Sequence, residues 1–169
     1  MTIDLADVAA LAVVGCLLWA AWSDIAVRMI PDGACIAVAL IGLALRGRLG
    51  LSPVLLSLGI ALALFLALVV LHARGLFGGG DVKLVAAMAI GLTPLQVARF
   101  LLLTSIAGFV LAMLYLIMRR LPLAAPRGPG LWRRVLTAEV WRIRRRGSLP
   151  YGVAIACGGA WVLFTTPGG

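Results

Sequence analysis

Six apolar runs, at about 5–22, 33–45, 53–71, 82–92, 95–118 and 149–164, occupy most of this 169-residue sequence. Uncharged stretches that approach 20 residues are read as bilayer-spanning segments, and inside lipid a helix is the simplest way to satisfy every backbone N–H and C=O. The pattern therefore predicts an all-α, polytopic membrane protein with six transmembrane helices, forming one domain over 1–169. Composition agrees: 63% of residues are hydrophobic and 12% charged, against about a quarter charged in soluble chains. The fourth and fifth runs cannot be one helix, since 82–118 would extend roughly 55 Å across a core of about 30 Å. Gly91-Leu92-Thr93-Pro94 marks the break. The fourth helix is then short, which predicts that its Asp81 end lies below the membrane surface and needs a water-filled recess. The N-terminus lacks the basic region of a cleaved signal peptide, so the first run is expected to remain as a span.

A formal charge of +9 would suit nucleic acid, but nine of the fifteen basic residues lie in 119–146, between two apolar runs. A positive-inside loop, about 119–148, accounts for that clustering, and no nucleic-acid partner is expected. Counting crossings places Asp24, Asp81, the basic loop and Pro150-Tyr151 on one side. That side carries twelve of the basic residues; Arg46, Arg48 and Arg99 are on the other. The motif side is therefore read as cytoplasmic and both termini as outside. Within the loop, Leu131, Trp132, Val135, Leu136 and Val140 recur at helical spacing among arginines. This fits a helix on the anionic leaflet, acting either as a topology-setting element or in docking a substrate. Cys16, Cys35 and Cys157 fall in apolar runs without a CxxC pair, which reads as reduced, buried thiols with neither disulfide framework nor zinc site.

Carboxylates are scarce, six in all, and Asp24 and Asp81 sit where apolar runs meet the membrane surface. An ionised group there is costly unless paired or wet, so each is a candidate functional residue. Taken singly, Asp24 could be a polar helix end and Asp81 an acidic cap. Together on one face they suit aspartic proteolysis, in which one carboxyl keeps a proton while its neighbour acts as base; no metal or cofactor is required. Gly78, Gly79 and Gly80 precede Asp81 and are read as an extended loop, open to positive φ, that a substrate backbone could approach; a plain hinge is the other reading. Lys83 is read as an interfacial anchor, not a charge partner of Asp81. Arg28 and Pro31 belong to a short polar crossing after Asp24, and Asp32 is read as a cap at the start of the second helix. His72 is given no catalytic part. Other classes remain open at this point: a small proton-coupled transporter with the aspartates on an ion path, or a noncatalytic assembly scaffold.

The strings Asp24, Arg28-Met29-Ile30-Pro31-Asp32, Gly78-Gly79-Gly80-Asp81-Val82-Lys83 and Leu149-Pro150-Tyr151-Gly152 resemble those of the type IV prepilin peptidases, membrane aspartyl proteases of the GxGD type. Gly78, Gly80 and Asp81 fill that motif, with Gly79 at its variable position. The resemblance implies Asp24 and Asp81 as the catalytic pair, and Gly78 to Gly80, Lys83, Arg28, Pro31, Asp32, Pro150 and Tyr151 as loop or substrate-contacting positions. It implies removal of a basic leader from prepilins, with pseudopilins as further candidate substrates, at the cytoplasmic face of the bacterial inner membrane. Larger members carry paired CxxC motifs and methylate the new N-terminus; this sequence shows neither and is similar to the small peptidase-only branch of tight-adherence (Flp-type) pili. The oligomeric state is left open.

Overall fold

Local signals set where helices begin. Asp4 accepts a hydrogen bond from the Leu5 amide at 2.6 Å, while Asp7 returns its carboxylate to the Asp4 amide at 3.4 Å. Thr93 repeats the device with Gln96: each side chain bonds the other's amide, at 3.2 and 2.8 Å, and Pro94 opens the helix at a position where no N–H is missed.

The computed structural model describes residues 4–121, 131–144 and 149–165, and among them the chain is helical throughout, with no strand. The elements are α1 (Leu5–Val27), α2 (Asp32–Gly47), α3 (Leu51–Ala73), α4 (Gly79–Gly91), α5 (Pro94–Arg120), α6 (Leu131–Arg144) and α7 (Tyr151–Thr165). Each apolar run coincides with a helix, and the break at Thr93-Pro94 separates α4 from α5. The seventh helix, α6, lies in the basic segment, whose residues 122–130 and 145–148 are outside the described residues.

Three helices, α1, α3 and α5, are long and apolar enough to cross a membrane, with mean hydropathies of 2.0, 3.0 and 2.4. The other apolar helices are shorter, at 16, 13 and 15 residues for α2, α4 and α7. Packing explains how short helices coexist with long ones. α7 is gripped by α1 and α5, α4 by α2 and α3, and α4 also touches α7. Nearly half of α4 and α7 is buried against protein, six of 13 and seven of 15 residues, whereas α3 buries only Ser57, Ala61 and Leu68. A helix sheathed by neighbours need not match the bilayer thickness itself. Large apolar side chains such as Leu62, Leu66, Leu102, Phe109 and Val110 cover the outside, a surface that suits lipid. With these features the chain is an integral membrane protein.

Because lipid is as apolar as leucine, such helices associate through close packing of small residues. Gly42 of α2 meets Gly91 of α4 so closely that a Cβ on Gly42 would lie 2.7 Å from the Gly91 nitrogen. One sequence reading needs correction here. Cys35 is buried and Cys16 partly so, but Cys157 is exposed on α7.

Candidate functional site

α1 does not stop where its apolar run ends at residue 22; it continues to Val27. Asp24 therefore lies within the last turn of a helix, 7% exposed. The connection to α2 is only 28–31. Arg28 ends α1 in the left-handed region, φ 58°, with its amide donating to the Asp24 carbonyl at 3.0 Å. Ser23 Oγ donates to the Met29 carbonyl at 2.7 Å and folds the connection back.

The buried Asp24 carboxylate is held from α7. Its Oδ2 accepts the Gly152 amide at 2.8 Å, one of the N–H groups that a helix start leaves without an internal partner. Pro150 is buried at the entry to that helix, and Gly152 permits the approach, since a Cβ there would lie 3.0 Å from Asp24 Oδ2. The second aspartate has a parallel setting. Asp81 is the third residue of α4, and its carboxylate folds back over Gly78, where a Cβ would stand 2.7 Å from Oδ2.

The glycines before Asp81 match the extended loop read from the sequence only at Gly78, and none of the three has a positive φ. Gly78 precedes the helix at φ −71°, and Gly79 and Gly80 form its first turn; among the described residues the positive-φ glycines are Gly50 and Gly75. What matters at Gly80 is room. A Cβ there would lie 2.9 Å from the Ile30 Cβ, so the start of α4 presses directly on the α1–α2 connection. His72 braces the same corner through a 2.7 Å hydrogen bond between Nδ1 and the Phe77 carbonyl.

These elements enclose a recess of about 630 Å³ lined by Asp24 and Asp81 together with Gly78, Gly79, Gly80, Arg28, Pro31, Asp32 and Lys83. Pro150 and Tyr151 are not in that lining. Tyr151 packs its ring on Phe77 at 5.4 Å between centroids, and both residues act through the placement of α7. Lys83 also departs from the sequence reading: it pairs with Asp32, Nζ to Oδ1 at 2.8 Å, between two exposed side chains. Asp32 makes no side-chain cap; it follows Pro31, the residue at the N-cap of α2, and faces Lys83.

Chemically, the recess presents two carboxylates, Asp24 from the last turn of α1 bonded to the start of α7 and Asp81 from the first turn of α4, beside the cationic side chains of Arg28 and Lys83. Among the described residues no group of three or more His, Cys, Asp or Glu stands together as a metal would need. Two residues were given no role by the sequence reading. Gly152 could have been noticed from Pro150-Tyr151-Gly152, a helix start followed by a residue without a Cβ. Glu139, the only glutamate of the chain, pairs with Arg28 at 2.5 Å behind the recess; its solitary position among arginines was the available signal.

Compared with known protein families, residues 11–113 match the model of the type IV leader peptidase family. No curated protein and no solved structure matches the chain. The matched stretch contains Asp24, the 28–32 connection and Asp81, and leaves α6 and α7 outside it.

Proposed function

The chain belongs to the type IV leader peptidase family, and on that premise we propose that it is an aspartic endopeptidase whose catalytic pair is Asp24 and Asp81. Membership makes it a protease with prepilin-type substrates. The observation that carries the finer reading is that the two aspartates, 57 positions apart in sequence and on different helices, line the same recess. In that arrangement one carboxyl keeps its proton and polarises the scissile carbonyl, while the other takes a proton from the attacking water. The Gly152 amide on Asp24 Oδ2 leaves Oδ1 for this chemistry.

The remaining parts of the proposal concern setting. Six helices, α1 to α5 and α7, cross or enter the bilayer, with α4 and α7 shielded by their neighbours, and the whole chain forms one domain. The recess faces the cytoplasm of a bacterial inner membrane, supported by the excess of basic residues on that side, and both termini lie outside. The basic leader of the precursor remains at that face while its apolar segment lies along the peptidase. Flp-type prepilins are the first substrates to test, with pseudopilins next.

The test is co-expression with a Flp-type precursor, following its size on a gel for the intact protein, Asp24→Asn and Asp81→Asn. We expect cleavage by the intact protein and loss of about a thousandfold or more in each variant, with membrane insertion unchanged. Turnover retained in Asp24→Asn overturns the pairing.

A further inference from the structure

Glu139 gathers donors from three elements. Arg28 Nη2 reaches Oε1 at 2.5 Å, Arg142 Nη1 reaches Oε2 at 3.2 Å, and the Tyr115 hydroxyl donates to Oε1. Both acidic and basic partners are largely withdrawn from solvent, with side-chain exposures of 13% for Glu139 and 15% for Arg28. Arg142 extends further, donating to the Ile25 carbonyl at 2.7 Å and the Ala26 carbonyl at 3.2 Å. Those carbonyls belong to the final turn of α1, where the helix supplies them no partner. Trp132 packs against Trp22 with centroids 4.5 Å apart and ring planes tilted by 57°, and Arg119 Nε donates to the Ile143 carbonyl at 3.2 Å. α6 is thus fastened to the end of α1 and to α5 by specific contacts, which a segment serving only to set topology does not require.

The contacts converge on Arg28, which is the unusual residue of the recess. Among the described residues it alone, glycine aside, has a positive φ, a conformation that persists when surrounding structure over-determines it. Its Nε and Nη1 are buried without a hydrogen-bond partner among the described residues, so Glu139 is the counter-charge that makes burial of the guanidinium tolerable. The Arg28 amide in turn bonds the Asp24 carbonyl. A chain of direct contacts therefore runs from α6 through Glu139 and Arg28 to the turn that carries Asp24.

We propose that α6 is a clamp and that Glu139 is a positioning residue, holding Arg28 and the last turn of α1 in the geometry that presents Asp24 to the recess. Its effect on turnover rests on the leader-peptidase reading; the docking of α6 does not.

The experiment has two readouts on purified protein in detergent micelles. One is the rate of tryptic cleavage at the arginines of α6. The other is kcat and KM for a Flp-type prepilin. In Glu139→Gln we expect tryptic cleavage to accelerate about tenfold or more, and kcat to fall about tenfold or more with KM little changed. Arg134→Lys, an exposed change on the same helix that keeps its charge and its cleavage site, should match the intact protein in both. Replacing both partners, Arg28→Met with Glu139→Met, should regain tryptic protection, because it removes the uncompensated buried charge. Glu139→Gln as protected and as active as the intact protein overturns the proposal, and protection lost with kcat unchanged overturns the positioning role. If the intact protein cuts no precursor, loss of protection in Glu139→Gln still upholds the clamp, and it is the peptidase reading that fails. Where Glu139→Gln does not accumulate, Arg142→Met, which releases the α1 carbonyls, decides the docking by the same tryptic readout.

Discussion

The Gly152 amide donates to Oδ2 of Asp24 at 2.8 Å, across 128 positions of sequence. One hydrogen bond thereby joins the start of α7 to the end of α1 at the wall of the recess, and it depends on the absence of a side chain at residue 152.

Gly152→Ala should uncouple position from stability. The added Cβ would stand 3.0 Å from both Cβ and Oδ2 of Asp24, tighter than normal contact, so the carboxylate must shift. A displacement approaching 1 Å near a reacting group costs about a hundredfold in rate. We expect that loss in initial rate of precursor cleavage, with undiminished protein in the membrane fraction; an unaltered rate would show that the close approach is immaterial.

Adjacent glycines of the Asp81 string should differ sharply. Gly80→Ala places its Cβ 2.9 Å from the Ile30 Cβ, whereas Gly79→Ala meets only the His72 ring, at the ordinary distance of 3.5 Å. Overpacking of this kind costs about 1–3 kcal/mol, so Gly80→Ala should lower the melting temperature and impair cleavage well beyond Gly79→Ala. Thermal unfolding in detergent, read beside turnover, checks this. Equal effects would mean that the string serves as a hinge and not as a packing surface.

The α2–α4 crossing offers a test remote from the carboxylates. A Cβ on Gly42 would lie 2.7 Å from the Gly91 nitrogen and 2.8 Å from its Cα; backbone cannot step aside as a flexible side chain can. Gly42→Ala should destabilise by about 1–3 kcal/mol. Gly15→Ala, with nothing within 4 Å of its added Cβ, should not destabilise and provides the comparison. Matching melting curves for the two variants would contradict the close crossing.

Much of the architecture was legible because it is written locally. Each apolar run became a helix, and Thr93-Pro94 broke α4 from α5 through a cap and a proline that act over four residues. The family strings around Asp24 and Asp81 were legible for the same reason, and both aspartates line one recess. Asp24 was legible as a polar helix end, since it does lie in the last turn of α1, but its partner on α7 was not. Within the Gly78 to Gly80 string Gly78 is extended as read, whereas Gly79 and Gly80 join α4, because glycine tolerates either state. Lys83 seemed an anchor because Asp32, its partner, stands 51 positions away.

Hydropathy, caps and short motifs are properties of neighbouring residues, so an all-helical membrane chain with two aspartates at the ends of apolar runs and a basic segment follows from the order of residues alone. Which helices could be short was decided by packing, since α4 and α7 are sheathed by protein and need not match a bilayer. The partners of Asp24, Arg28 and Lys83 were decided the same way. Each lies on another helix, and a hydrogen bond reaches about 3 Å in space, with no regard to separation along the chain.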